Sequence, residues 1–339
     1  MEAKLSRISR TLTPSPIQEL SHLAQRCGAI NLAEGFPDFS APPHVKEAAI
    51  SAINADLNQY RHVQGICDLL AATMRQNYGL DINPLTDVVI CCGQSEAFAA
   101  AIFAAINQGD EVLLFDPAYE TYESCIALAG GIPVYEYITF DMQKHISIAT
   151  LPGMQERTVI TSSLSKTFSV TGWRIGWACA PASIASAIRS IHVKITDSAP
   201  APFQEAAVTA LQSPPAYFKF LKAEYEAKRD FVVQMLSSLG FQIRFKPQGS
   251  VFVFAELPEN WLLSDLEFVT ELIENAGVAA VPGCGFFHAD PNVQEYRNRY
   301  VRFAFCKSEA TLNAAAQKMG ELCKLQRMPG SLIRKKILE

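Results

Sequence analysis

Hydrophobic positions along the chain alternate between two rhythms. Short runs without polar interruption are followed by stretches whose apolar residues recur every three or four positions, as strands and helices of an α/β protein do. Asp87 to Cys92 (DVVICC) is an apolar run that stops at Gly93, and it predicts a strand covered on both faces, of the buried parallel kind. Glu96 to Ile106 (EAFAAAIFAAI) is apolar around nearly its whole circumference and predicts a helix buried on several sides. Gly109-Asp110 turns the chain into a second strand, EVLLFDP, and Thr158–Ser162 and Ile175–Ala180 predict two more.

Beyond about residue 205 the pattern changes. Ala216–Ser238 predicts a long, charged amphipathic helix, and GSVFVFAEL (Gly249–Leu257) a strand. Leu263–Ala276 predicts another helix, Val278–Pro282 and YVRFAFC (Tyr300–Cys306) further strands, and a last helix starts at Glu309. The expected organisation is an N-terminal arm with a piece of the small domain (1–45), a large domain (46–215), a small α+β domain (216–325) and a solvated tail (326–339). Lys335 and Lys336 miss the spacing of a dilysine signal, because Ile337 stands third from the end.

Composition narrows the function. With 339 residues, 49% of them hydrophobic, and a net charge of −5, the chain has room for two domains of ~150 residues and is not disordered. The acidic balance disfavours nucleic acid as a partner, and no apolar run approaches the ~18 residues of a membrane span. Nine cysteines without CxxC spacing or paired histidines fit neither a disulfide nor a metal framework; they predict buried thiols in a reducing compartment. Lys4, Arg7 and Arg10 hint at an organelle-targeting segment, but Glu2 and its shortness weigh against one, so cytoplasm is the expectation.

The densest chemistry lies in SSLSKTFSVTGWRIGW, Ser162 to Trp177. A lone lysine at a strand end would read as an exposed ammonium. Here Lys166 is flanked by Ser163, Ser165 and Arg174, hydroxyls and a guanidinium fork suited to a phosphate dianion. A desolvated lysine attacks carbonyls to form Schiff bases. A covalent lysine beside a phosphate seat is what pyridoxal phosphate requires.

The string S-L-S-K-(x)5-G-W-R-x-G resembles the lysine motif of class I/II aminotransferases of fold type I. NLAEGFPDFSAPPHV, NQYRHVQG, FDPAYETY, PGCGFFH and YVRFAF bring the likeness closer to kynurenine aminotransferase and glutamine transaminase K, plant forms included, from about Leu5 to Leu322. The resemblance implies the aspartate-aminotransferase-like fold, a large mixed-sheet domain plus a small α+β domain, and a homodimer. It makes Lys166 the residue that bonds the cofactor and shuttles the proton between substrate Cα and cofactor C4′. Gly93, Gln94 and Ser95 at a helix N-terminus would hold the phosphate together with Ser163 and Arg174. Tyr119 would stack on the pyridine ring, Tyr135 would contact the cofactor, and Tyr60 would reach the phosphate in the neighbouring subunit. Arg302, opposite Val301, Phe303 and Phe305 in strand alternation, would clamp the substrate carboxylate, which Gly35 also approaches. Phe286, Phe287 and His288 would shape a pocket for aromatic or sulfur-containing side chains.

Two family elements are missing. No Asn-Pro-x-Gly occurs, and three positions before Tyr135, where the family's Asp-x-x-Tyr strand carries the carboxylate for the pyridine nitrogen, stands Ile132. The text before Tyr135, ALAGGIPV, resembles a strand found much earlier in the family. An internal deletion near Val134-Tyr135 is expected, from a skipped exon or truncated gene model, removing ~60–75 residues and about two central strands. At ~4.8 Å per strand the gap of about 14 Å must close by re-pairing the ladder, and destabilisation is expected. The chain thus reads as an aminotransferase acting on kynurenine, glutamine, methionine or a similar donor and a 2-oxo acid, with possible cysteine-conjugate β-lyase activity. The alternatives are a catalytically impaired isoform that pairs with full-length subunits, and a carbon–sulfur lyase or aminocyclopropanecarboxylate-synthase-like enzyme using the same lysine.

Overall fold

The computed structural model describes residues 16–116, 118–137, 147–259, 261, 263–287 and 298–327. In chain order these form α1 (Pro16–Arg26), β1 (Ile30–Asn31), α2 (Pro43–Asn54), α3 (Gln64–Tyr78), β2 (Val88–Cys91), α4 (Gln94–Ala105), β3 (Glu111–Asp116), α5 (Glu120–Leu128) and β4 (Ile132–Tyr137). There follow β5 (Ile160–Ser163), β6 (Gly176–Cys179), α6 (Ala182–Ile195), α7 (Ala201–Leu211), α8 (Pro215–Ser238), β7 (Phe252–Glu256), α9 (Asp265–Glu271), β8 (Val278–Ala279), β9 (Val281–Pro282), β10 (Tyr300–Ala304) and α10 (Glu309–Arg327). A π turn, Leu272–Ala276, extends α9. His288 and the tail lysines lie outside the described residues.

Two compact units emerge, one of residues 39–115 and 121–219, the other of residues 1–38, 116–120 and 220–339. The first is built on the sheet β2-β6-β5. Alternate residues of β2 go to opposite cores: Val88 and Ile90 pack with α2, α3 and α7 residues, while Val89 and Cys91 pack with Ala97, Ala100 and Ile188 of α4 and α6. That is why the run shows no polar interruption. Its direction is not the expected one. β6 runs antiparallel to both β2 and β5, because the β5–β6 connection is a loop with one 3₁₀ turn and no crossover helix. Helix α4 is also less enclosed than its composition suggests: Ala97, Ala100 and Ala101 are buried, whereas Phe103 is exposed.

β3 and β4 form a separate two-stranded sheet. Among the described residues no ladder joins β3 or β4 to β5, so the expected re-pairing does not occur. β5 is left as an edge whose residues Ile160–Ser163 are all half-buried, while β2 and β6 are buried throughout. Leu113 and Ile132 on the other sheet are more than half exposed. Burial pushes the Cys67 thiol up to about 11 and the Cys179 thiol up to about 12, so both stay protonated and inert.

The second unit has the sheet β7-β10-β9 and the parallel pair β1-β8, covered by α1, α8, α9 and α10. Phe241 lies at its centre, edge-on to Phe268, Phe303 and Trp261. Ser264 starts α9 with a capping box closed by Glu267. No helix among the described residues is long and apolar enough to cross a membrane.

An open β5 edge has a measurable consequence. In hydrogen exchange, the β5 amides that do not face β6 should exchange well ahead of the Trp177 and Ala178 amides of the central strand. Equal protection of the two strands would mean that the edge is covered.

Candidate functional site

Gly176, the first residue of β6, is paired with Cys91, the last of β2, on one side and with Ser163, the last of β5, on the other. The loops leaving those two strands therefore start side by side. The first is Cys92-Gly93 and the N-terminus of α4, the second Leu164–Ile175 with Lys166 in it. A side chain at 176 would overlap the Gly93 carbonyl carbon and the Gln94 nitrogen, so only glycine lets the first loop lie this close.

Gly93 adopts φ +84°, a conformation glycine reaches without strain, and it begins α4 with no side-chain cap. First-turn amides of a helix lack intrahelical partners, and with the helix dipole they suit an anion. The Arg174 guanidinium lies where a Gly93 side chain would be, donating to the Cys92 carbonyl at 3.3 Å and to the Thr171 carbonyl at 3.1 Å. Arg174 itself sits in the left-handed region at φ +57°. Gln94 reaches β5 through Nε2, which donates to Thr161 Oγ1 at 3.1 Å. Ser163 Oγ accepts from the Ser165 amide at 3.3 Å, folding the chain into the turn that precedes Lys166. Lys166 is exposed. Its loop is held from below by Tyr217, whose hydroxyl donates to the Thr167 carbonyl at 2.5 Å and whose ring stacks on Phe168 at 5.3 Å.

Glu96, in the first turn of α4, is ringed by donors. Its Oε1 accepts from Thr196 Oγ1 at 2.7 Å and from His192 Nδ1 at 2.7 Å, and its Oε2 accepts from the Cys92 amide. Cys91 Sγ completes the cluster, lying within 4.8 Å of the Glu96 and His192 ligand atoms. Burial pushes the Glu96 carboxyl up, but the bonds from His192, Thr196 and the Cys92 amide outweigh it and hold it below its ordinary value. None of these partners carries a sequence motif. The only clue is a glutamate in the first turn of a helix that opens at a glycine.

Of the other expected residues in this unit, Tyr60 is 77% exposed, and Tyr135 lies on β4 with its side chain outside the described part. In the other unit, Tyr119 is 43% exposed. There Arg302 does turn away from Val301 and Phe303, but the face it turns to is covered as well. The guanidinium lies 3.9 Å from the Phe252 ring centroid and 4.4 Å from that of Phe286, and Nη2 donates to the Ala33 carbonyl at 2.9 Å. Arg302 is only 6% exposed because two aromatic rings replace water around it. Gly35 is packed so closely on the Phe252 ring that any side chain would collide with it. Phe252 thus joins Gly35 and Arg302, and motif matching does not find it.

This geometry tests the fit of pyridoxal phosphate. The uncapped α4 terminus, the Arg174 fork and the neighbouring Lys166 loop fit the phosphate and the lysine bond. Ile132, three positions before Tyr135, where the motif resemblance calls for a carboxylate, is more than half exposed and has no proton acceptor in its side chain.

Comparison with known proteins agrees. The family model for aminotransferase class I and II matches residues 28–145 and, in a second overlapping piece, residues 134–319. The chain is 31% identical to a probable N-succinyldiaminopimelate aminotransferase of Mycobacterium tuberculosis, over 90% of this chain and 95% of that protein. It is 30% identical to the methionine aminotransferase of Escherichia coli (95% and 98% covered) and 28% identical to human kynurenine–oxoglutarate transaminase 1 (90% and 95%). The Mycobacterium alignment runs over 379 positions against 339 residues in the whole chain, so the relative has residues for which this chain has none. The solved structures of the Mycobacterium and Escherichia coli enzymes superpose with TM-scores of 0.87 and 0.85, at 30% and 29% identity, each over 94% of this chain and 100% and 99% of theirs.

Because Glu96 is lowered in the folded state, its contribution to stability is present above the unfolded carboxyl value of about 4.3 and is lost as pH falls through its folded value. Denaturant titrations of Glu96→Gln between pH 7 and 3 should show a shallower acid decline than the parent. An identical decline would remove Glu96 from the acid limb.

Proposed function

Since the chain belongs to the class I and II aminotransferases, we propose that it moves an amino group from kynurenine, glutamine, methionine or a similar amino acid to a 2-oxo acid. The family uses pyridoxal phosphate, which when bound draws electrons from the substrate Cα. The observation that carries the reading is the meeting of the Gly93 and Lys166 loops on either side of Gly176. Lys166 takes and returns the proton at Cα, and Arg174 with the α4 amides holds the phosphate. Arg302 receives the substrate carboxylate, its guanidinium desolvated by Phe252 and Phe286, where a charge-assisted bond is strongest. The same rings support a donor with an aromatic or sulfur-containing side chain, as the names of the methionine and kynurenine relatives do. Cysteine-conjugate β-lyase or other carbon–sulfur lyase activity would use the same lysine.

The exposed Tyr60 supports a dimer in which it reaches the partner's phosphate, and the thiol-rich core supports a cytoplasmic setting. A second reading, a catalytically impaired subunit that pairs with full-length chains, is supported by the sequence: three positions before Tyr135, where the resemblance calls for a carboxylate, stands Ile132, on a sheet not joined to β5 among the described residues.

One experiment separates the readings. Pyridoxal phosphate is added to the purified chain, the visible absorption band is recorded, and turnover of methionine or kynurenine with a 2-oxo acid is followed. A band and a turnover that both vanish in Lys166→Ala support the enzyme, and Arg302→Met should then weaken donor binding by about 10- to 100-fold. A Lys166-dependent band without turnover leaves the impaired subunit. Neither band nor turnover in the folded chain sinks the enzyme and leaves the impaired subunit, whose pairing with full-length chains needs no cofactor of its own.

A further inference from the structure

The phosphate seat is not self-supporting. Cys92, the residue before Gly93, is gripped at both ends of its backbone: its carbonyl accepts from Arg174, and its amide donates to Glu96. Glu96 is in turn fixed from α6 and its end, by His192 Nδ1 and by Thr196 Oγ1, each at 2.7 Å. The Thr196 amide donates to the His192 carbonyl at 2.9 Å, so the two donors hold one another in place. His192 is 6% exposed and the Glu96 side chain 11%, so water cannot substitute readily for either partner. Gly93, whose positive φ aims the α4 amides, lies between Cys92, which Glu96 holds through its side chain, and the first turn of α4, to which Glu96 belongs. With Glu96 and His192 already bonded to one another, the cluster is a brace and not an open ion site.

We infer that Glu96, locked by His192 and Thr196, is a positioning residue that holds the Cys92–Gly93 turn in the shape that binds the cofactor phosphate. The inference rests on the reading of the α4 terminus as the phosphate seat. The brace touches neither the ring nor the lysine, so its loss should be felt by phosphate-bearing ligands alone.

The test compares pyridoxal phosphate with pyridoxal, which lacks the phosphate, on the purified full chain and its variants, with thermal unfolding run alongside. Glu96→Ala should weaken pyridoxal phosphate about 10-fold or more and leave pyridoxal unchanged. Glu96→Gln, which can still accept from the Cys92 amide, should recover to within about 3-fold of the parent. Thr196→Val, which removes one bond and no volume, should lose about 3-fold and serves if Glu96→Ala does not fold. Equal weakening of both ligands, or none in a folded variant, overturns the brace. Arg174→Ala is the control: if it weakens pyridoxal phosphate selectively while the Glu96 and Thr196 variants do not, the brace alone falls. If the parent does not prefer pyridoxal phosphate and Arg174→Ala changes nothing, the phosphate seat falls with it.

Discussion

Everything assigned to the larger unit depends on one close approach, the backbone of Gly176 against Gly93 and Gln94. Two strands of equal direction end on either side of Gly176, and two loops leave together from that end. One loop has little freedom, since its turn needs a positive φ at Gly93 and its neighbour Cys92 is bonded through both amide and carbonyl. The other folds under Ser163 and rests on Tyr217. Placing an amine beside an anion seat thus needs no long-range device, only a sheet register and a missing side chain. Ligand sites at the carboxyl ends of strands that run in the same direction, as β2 and β5 do on either side of β6, follow the general logic of open α/β sheets.

The unit brings the α4 terminus and the Lys166 loop together on a sheet to which, among the described residues, β3 and β4 are not joined. The three-stranded and two-stranded sheets are separate, and the Mycobacterium relative has residues for which this chain has none. Two features mark the difference: the outer side of β5 has no neighbour among the described strands, and a hydrophobic residue, Ile132, heads β4. Binding of the phosphate and protonation of the ring nitrogen are separable in such a chain, because they use residues from different strands. The edge also carries a stability penalty, since backbone groups shaped for a ladder must turn to water.

Much of this was legible in the sequence, for physical reasons. Strands covered on both faces, such as β2 and β6, announce themselves as uninterrupted apolar runs, and the partly exposed β3, β5 and β7 and the buried β10 also fall within a few residues of their predicted spans. Strand direction was not legible, because burial on both faces does not depend on it; the shortness of the β5–β6 connection was the better clue. Arg302 was singled out by its motif, but its contacts with Phe252 and Phe286 were not legible, since those rings come from distant segments. Glu96 was invisible for the same reason, its histidine partner lying 96 positions away. The expectation of a missing acid rests on the spacing of Ile132 and Tyr135 against the family's motif, which no periodicity reports.

The central claim, that Gly176 brings the phosphate seat and Lys166 into one site, is tested most directly by mapping the cofactor bond. The purified chain and its Gly176→Ala variant are each mixed with pyridoxal phosphate, reduced with borohydride, digested and analysed by mass spectrometry, with thermal unfolding confirming that the variant is folded. A phosphopyridoxyl group on Lys166 in the parent, strongly diminished in the folded variant, is the expected result. A label spread over other lysines in the parent, or undiminished on Lys166 in the variant, would contradict it.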